Sequence, residues 1–335
     1  MMEEPFGFAL GSFAKGAGRP FLGLVQGERV TPLSALDPVR FPAEVGLLHL
    51  LKDWDASLAA LKALSAQART GKDGLALQDL KVFAPLSEAR QVFCAGANYR
   101  RHVVEMVVAV GLGAETEGMD SDARRAFGES YVQRQLNESE PFVFMKPVTA
   151  IAGPQDDLTL PSFSQQVDWE LELGAVIGRE TLRASQEDAL SCVAGYMIVN
   201  DLTARDRVRR TDPGAISLDW VAAKGAPGFL PCGPFFVPAE FVGDPQRLSL
   251  QLAVNGEVMQ HGSTSDMIFD VARLVSFISR YARLLPGDIL CTGSPAGNGV
   301  ARGRFLQPND VIEAEIQGLG RQVVRCVADP RPLAS

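Results

Sequence analysis

The chain has 335 residues, 46% hydrophobic and 21% charged, which is enough apolar material for about two domains and too much for global disorder. Its 32 basic residues stand against 40 acidic ones, a formal charge of −8. Phosphate affinity comes from clustered Lys and Arg, so this is a poor general nucleic-acid binder. The five cysteines are odd in number, widely spaced and form no CxxC, which argues against a disulfide framework or a thiolate zinc site.

Along the chain, the start Met1-Met2-Glu3-Glu4-Pro5-Phe6 is acidic and lacks the basic and apolar pattern of a secretory leader. No apolar run approaches the roughly 20 residues a membrane helix needs. These readings, with the reduced-thiol pattern, lead us to expect a cytoplasmic protein that does not engage membranes. Residues 6–31 alternate apolar runs with Gly and read as a hairpin. Leu58, Leu61 and Leu64 recur at helical spacing within 53–68. A strand at 81–86 breaks at Pro85, and we place a small N-terminal domain, 1–84, before a second domain, 85–335.

From residue 91 strand-like runs dominate, at 91–95, 169–177, 196–200, 235–237, 248–254, 288–291 and 311–316, each bounded by Gly, Pro, Asn or Asp. Helices are expected at 186–194, behind Ser185, and at 266–284, where Ile268, Val271, Val275, Ile278 and Ala282 form a stripe closed by Pro286-Gly287. Strands without regular βαβ alternation indicate an α+β fold. Residues 107–140 are rich in charge and Gly, with an amphipathic stretch over 121–136. They read as a surface insertion or as a lid over a site.

Three groups carry chemistry. In Asp168-Trp169-Glu170-Leu171-Glu172-Leu173, strand alternation points Glu170 and Glu172 the same way. Adjacent carboxylates repel, and burying them is costly unless a cation neutralises them; the alternative is a solvent-facing edge strand. An apolar run from Gly195 ends at Asp201, before 202–206, which look like a turn into a helix. With the two Glu it completes an all-oxygen donor set suited to Mg²⁺, Mn²⁺ or Ca²⁺. With three His in the chain, a His-rich zinc site is disfavoured. Finally, His102 and Glu105 are i and i+3 neighbours on a helix, where a carboxylate can orient an imidazole and raise its basicity. His49 sits in an apolar run and reads as structural; His261 follows Gln260 and could lie near the site.

The ordered motifs carry a resemblance. They are Asn98-Tyr99-x-x-His102, Asp168-Trp169-Glu170-x-Glu172-Leu173, Asn200-Asp201-x-x-Ala204-Arg205-Asp206, Lys224-Gly225, Pro231-Cys232-Gly233-Pro234, Asn255-Gly256-x-x-x-Gln260 and Leu285-Pro286-Gly287-Asp288 leading to Thr292-Gly293-Ser294-Pro295-Ala296-Gly297. Together, over about residues 85–325, the chain resembles the fumarylacetoacetate hydrolase superfamily, nearer its bacterial catabolic and acylpyruvase-like branches.

The resemblance implies a β-roll-like α+β catalytic domain, a homodimer and a bound Mg²⁺ or Mn²⁺. It maps metal ligands onto Glu170, Glu172 and Asp201 and a water-activating dyad onto His102 and Glu105. Lys224 matches the lysine near the metal, and Arg205 an arginine near the substrate acid. Gln260 and Thr292 match substrate-contacting positions. Implied substrates are small 2-oxo acids with a second carbonyl or enol. The expected reaction is hydrolysis of a C–C bond in a 2,4-dioxo acid. Isomerisation, hydration or decarboxylation on the same site are the alternatives, ahead of a non-enzymatic binding role. One departure stands out: the family often has Asp-Thr after the lysine, where this chain has Pro227-Gly228.

Overall fold

The N-terminal hairpin forms as Ala9–Lys15 and Phe21–Gln26, paired from Ala9↔Val25 to Phe13↔Phe21. The computed structural model describes residues 7–70, 74–210, 212 and 218–330; the N-terminal stretch discussed above, 1–6, lies outside the described residues. Arg29–Pro32, Leu75–Ala76 and Leu80–Phe83 complete a five-stranded antiparallel sheet. The helix Trp54–Thr70 buries Leu61 and Leu64 in the same apolar core. Leu10 and Phe236 exchange two backbone hydrogen bonds of 2.8 Å, and Trp54 meets Phe236 edge-on at 5.3 Å. The N-terminal sheet and its helix are therefore joined to the rest by backbone ladder as well as by apolar contact.

The remainder is built on two large sheets, with two two-stranded pairs beside them. In the six-stranded one the order is Val237–Pro238, Val193–Asn200, Leu171–Ile177, Ile289–Cys291, Val92–Gly96 and Phe142–Met145, with the Ile289–Cys291 and Val92–Gly96 pair parallel. Both faces of Leu171–Ile177 are covered, and every residue in it is buried. The five-stranded sheet runs Glu257–Ser263, Ser249–Val254, Val311–Ile316, Gly320–Ala328, Leu158–Leu160. Sheets with segregated helices make this an α+β fold, as the strand-rich pattern predicts.

Three local expectations are corrected. Residues 169 and 170 leave the strand: the Glu170 N–H goes to the Asn200 side chain at 2.8 Å rather than to a ladder partner. The helix expected over 266–284 is Val271–Tyr281, because Asp270 accepts from the Arg273 N–H at 2.7 Å and starts the helix after Ile268. Residues 202–206 start no α-helix. Thr203–Ala204 pairs with Val167–Asp168, and Arg205–Arg207 is one 3-10 turn.

Residues 107–140, with the amphipathic stretch read over 121–136, are mostly helix. Arg100–Val110 and Ser121–Glu138 are joined by a 3-10 turn at Gly113–Thr116, and Asp120 caps the second helix. The two helices meet at Gly128, where a Cβ would lie 3.2 Å from Val104 Cα. Among the described residues no helix is long and apolar enough to cross a membrane. All five cysteines are buried and free.

Candidate active site

Two antiparallel strands assemble the acids. The register Leu171↔Asn200 and Glu172↔Val199 sets the start of Leu171–Ile177 beside the end of Val193–Asn200. The chain then turns back, the Asp201 N–H donating to the Glu170 carbonyl at 2.9 Å. Glu170, Glu172 and Asp201 are all buried, and one ligand oxygen from each lies within 4.8 Å of the others. Three hard oxygens converging from a buried strand pair suit a divalent cation with open positions for water or substrate. This chemistry of the donor set matches the group implied by the sequence.

Cations surround the cluster. Lys224 ends the short helix Trp220–Lys224, whose cap is Asp219. Its Nζ donates to Asp201 Oδ2 at 2.6 Å, to Glu170 Oε2 at 3.0 Å and to the Asp201 carbonyl at 3.2 Å. Arg205 donates through Nε to Asp168 at 2.8 Å and pairs with Glu170. Its guanidinium therefore braces the Glu170 segment from behind. A second lysine, Lys146, reaches Asp201 Oδ1 at 2.7 Å and the Leu202 carbonyl at 3.0 Å with its side chain fully buried. Sequence reasoning missed it; the signal was a lone cation between Phe144-Met145 and Pro147 in a segment returning to the core.

These charges divide the acids. Burial alone would raise the Glu170 carboxyl, but Arg205 and then Lys224 outweigh it and hold it at about 2. Glu172 is pushed well above the ordinary carboxylate range, first by burial and then by Asp201 and Glu170; the Gly293 N–H at 2.6 Å only partly offsets this. Burial would lower the Lys224 ammonium, yet Asp201 and Glu170 raise it and keep it charged.

His102 and Glu105 share the helix Arg100–Val110. His102 is buried, and burial pushes its imidazole down to about 4, with Arg205 and Lys224 adding to the effect and Glu170 opposing it. Its Nδ1 has no hydrogen-bond partner, while Glu105 Oε2 accepts the Gly297 N–H at 2.7 Å. Glu105 thus holds the loop following Cys291 rather than the imidazole.

That loop is tied down throughout. Thr292 Oγ1 donates to the Leu173 carbonyl at 2.8 Å, and Asn98, which sequence reasoning used only as a motif letter, donates to the Thr292 and Phe269 carbonyls at 2.8 and 2.9 Å. Trp169 Nε1 donates to the Gly297 carbonyl at 3.0 Å, and Asp168 accepts the Gly299 and Val300 N–H groups. Gly297 is obligatory: its φ is +105°, and a Cβ there would stand 2.0 Å from the Met259 carbonyl oxygen.

Gln260 accepts from the Leu171 N–H at 3.0 Å and donates to Ser294 Oγ and the Pro295 carbonyl at 2.8 and 2.7 Å. Both of its amide protons are engaged, so it splices the loop to the Glu170 segment. His261 is exposed on the strand face opposite the buried Gln260, and His49 lies in the N-terminal helix Leu47–Leu51. Pro227-Gly228 forms a turn, the Phe229 N–H donating to the Ala226 carbonyl at 3.1 Å.

A buried all-oxygen site on an α+β fold, ringed by lysines and beside an uncharged histidine, defines an enzyme class rather than a binding module. Residues 91–327 match the family Fumarylacetoacetate (FAA) hydrolase C-terminal, and the chain belongs to the fumarylacetoacetate hydrolase family. It is 39% identical over 219 residues to a 2,4-didehydro-3-deoxy-L-rhamnonate hydrolase of Sphingomonas sp. (strain SKA58), covering 64% of this chain and 71% of that protein. It is 34% identical over 307 residues to a mitochondrial oxaloacetate tautomerase of Homo sapiens, covering 90% and 85%. Among solved structures, maleylpyruvate hydrolase from Sphingobium sp. SYK-6 in complex with manganese(II) and pyruvate superposes with a TM-score of 0.69 at 25% identity, covering 96% of this chain and 99% of that one. The 2-hydroxyhepta-2,4-diene-1,7-dioate isomerase from Mycobacterium marinum gives 0.66 at 27% identity, covering 97% and 100%. Hydrolases, isomerases and tautomerases thus share this scaffold.

Proposed function

We propose that the chain hydrolyses a C–C bond of a small 2,4-dioxo acid. The observation that carries this reading is His102, buried and held uncharged beside three converging carboxylates. Glu170, Glu172 and Asp201 would hold Mg²⁺ or Mn²⁺, which when bound supplies positive charge to a 2-oxo carboxylate and to an enolate.

The chain's own groups then do the proton work. His102 takes a proton from water, and the water oxygen bonds to the distal carbonyl carbon of the substrate. The Lys224 ammonium stabilises the negative charge developing on that carbonyl oxygen. As the carbonyl re-forms, the C–C bond breaks and its electron pair stays on the 2-oxo fragment, whose carbon accepts the proton back from His102. The hydrolase relatives, acting on 2-oxo acids by their names, support this reading.

One observation favours a second reading, tautomerisation. Glu105 is engaged with Gly297, so His102 acts without a carboxylate partner. A lone base that moves one proton between carbon and oxygen needs no attacking water, and the human tautomerase covers most of the chain. The test is a paired assay with Mn²⁺ or with EDTA. Acetylpyruvate should lose its enol absorbance with one pyruvate and one acetate released per turnover. Oxaloacetate interconversion without any pyruvate from acetylpyruvate would replace hydrolysis by tautomerisation.

A further inference from the structure

Asp201 is the ligand most heavily claimed by cations: Lys224 takes one carboxylate oxygen at 2.6 Å and Lys146 the other at 2.7 Å. The two lysines are not equivalent. Lys224 also bonds Glu170, so it bridges two of the acids. Among the described residues Lys146 hydrogen-bonds Asp201 and the Leu202 carbonyl, and it comes from a different element, the end of the edge strand Phe142–Met145, where its N–H is anchored to the Val92 carbonyl at 3.0 Å. Its ammonium lies 5.9 Å from the Phe229 ring and has no water-exposed surface.

With every acid ionised, as holding an ion requires of the ligands, Asp168, Glu170, Glu172 and Asp201 among the described residues face Lys146, Lys224 and Arg205. One negative charge is left over. A divalent ion overshoots it by one, and in a buried site such an excess is felt strongly because screening is weak. With Lys146 neutralised, two negative charges would remain, which a divalent ion balances.

We propose that Lys146 sets the grip of the carboxylate cluster on its divalent ion. Before the ion arrives, the ammonium holds Asp201 against the repulsion of its neighbours. Afterwards it weakens ion binding and leaves the loaded site with a net positive charge that draws in an anionic substrate. Lys146 is a positioning residue, since it reaches the reaction through Asp201. The inference deepens the reading above and rests on the cluster being the ion site.

The experiment compares Lys146→Gln, which keeps a donor for Asp201 but loses the charge, with Lys146→Arg, which keeps the charge. Mn²⁺ binding to the full chain, without substrate, is followed by the electron paramagnetic resonance signal of free Mn²⁺ and by the Mn²⁺-dependent rise in Tm. Lys146→Gln should bind Mn²⁺ on the order of tenfold tighter or more, while its metal-free Tm falls by several degrees. Lys146→Arg should bind Mn²⁺ like the wild type. In turnover, Lys146→Gln should raise KM for the anionic substrate more than it lowers kcat. If Lys146→Gln is insoluble without metal, it is purified in Mn²⁺ and titrated against chelators of graded affinity, and the same tightening is expected. Equal or weaker Mn²⁺ binding by Lys146→Gln, or an equal change in both variants, overturns the proposal. No saturable binding by the wild type, or binding unchanged in Asp201→Asn, overturns the cluster as an ion site altogether.

Discussion

Glu172 has no lysine or arginine bonded to it; its oxygen rests on the Gly293 N–H. Its folded pKa is raised above that of the unfolded chain, so the stability it contributes is present in acid and lost as pH rises through the folded value. At neutral pH the metal-free protein therefore bears a stability cost from this acid's placement. Glu172→Gln should raise the metal-free Tm at pH 7, leave it nearly unchanged near pH 4, and abolish the rise produced by Mn²⁺. An unchanged Mn²⁺ response would remove Glu172 from the ligand set. His102 behaves in the opposite sense. Its folded pKa of about 4 lies below the ordinary 6.5, so its contribution is present above pH 6.5 and is lost as pH falls toward 4. That difference corresponds to roughly 3 kcal/mol. His102→Asn should flatten the acid limb of metal-free stability over this window, while cutting turnover by about 10²–10⁴-fold and sparing Mn²⁺ affinity. An acid limb identical to the wild type in urea titrations at pH 4.5 would show that another group is responsible.

Two elements position the chemistry. One is the helix pair, where Arg100–Val110 carries His102 and is backed by Ser121–Glu138 through close approach at Gly128. The other is the loop after Cys291, held by Glu105, Trp169, Asp168 and Gln260. The loop and the helix meet at one hydrogen bond, Gly297 to Glu105. Gly297→Ala forces a Cβ onto the Met259 carbonyl in a backbone region L-residues avoid, so the loop must shift and that bond is lost. The expected result is a fall in kcat/KM on the order of 10²-fold, as for a misplaced catalytic constellation. The acids are carried at the ends of a separate strand pair and meet the loop at Gly293, away from Gly297, so the Mn²⁺-dependent rise in Tm should survive. Its disappearance would tie ion binding to the loop.

At the level of the whole molecule, the N-terminal sheet shares one apolar core with the catalytic part, and the Leu10–Phe236 ladder and the Trp54–Phe236 contact cross between them. Units linked in this way unfold together, because separating them exposes aromatic surface and breaks backbone pairs at once. Calorimetry should show one cooperative transition, with Phe236→Ala lowering it by a few kcal/mol as expected for a fully buried aromatic. Two resolved transitions would mean that the N-terminal unit folds on its own.

Local rules carried far into this molecule. The convergence of Glu170 and Glu172, a strand that closes just before Asp201, and capping by Ser185 follow from side-chain periodicity and hydrogen-bond chemistry within a few residues, and the structure has them, with Glu170 one residue outside its strand. The α+β class was legible for the same reason. What could not be read locally depends on partners distant in sequence. Lys146 gains its place 55 residues from Asp201 only when the edge strand docks. Glu105 turns to Gly297, 192 residues away, instead of to the histidine one helical turn from it. The amphipathic stretch at 121–136 was legible, but not that its helix backs Arg100–Val110 through close approach of Gly128 to Val104. Spacing along a chain reports which side chains can face the same way; which of them pair, and which stay charged, is decided by burial and by neighbours that only the folded chain brings together.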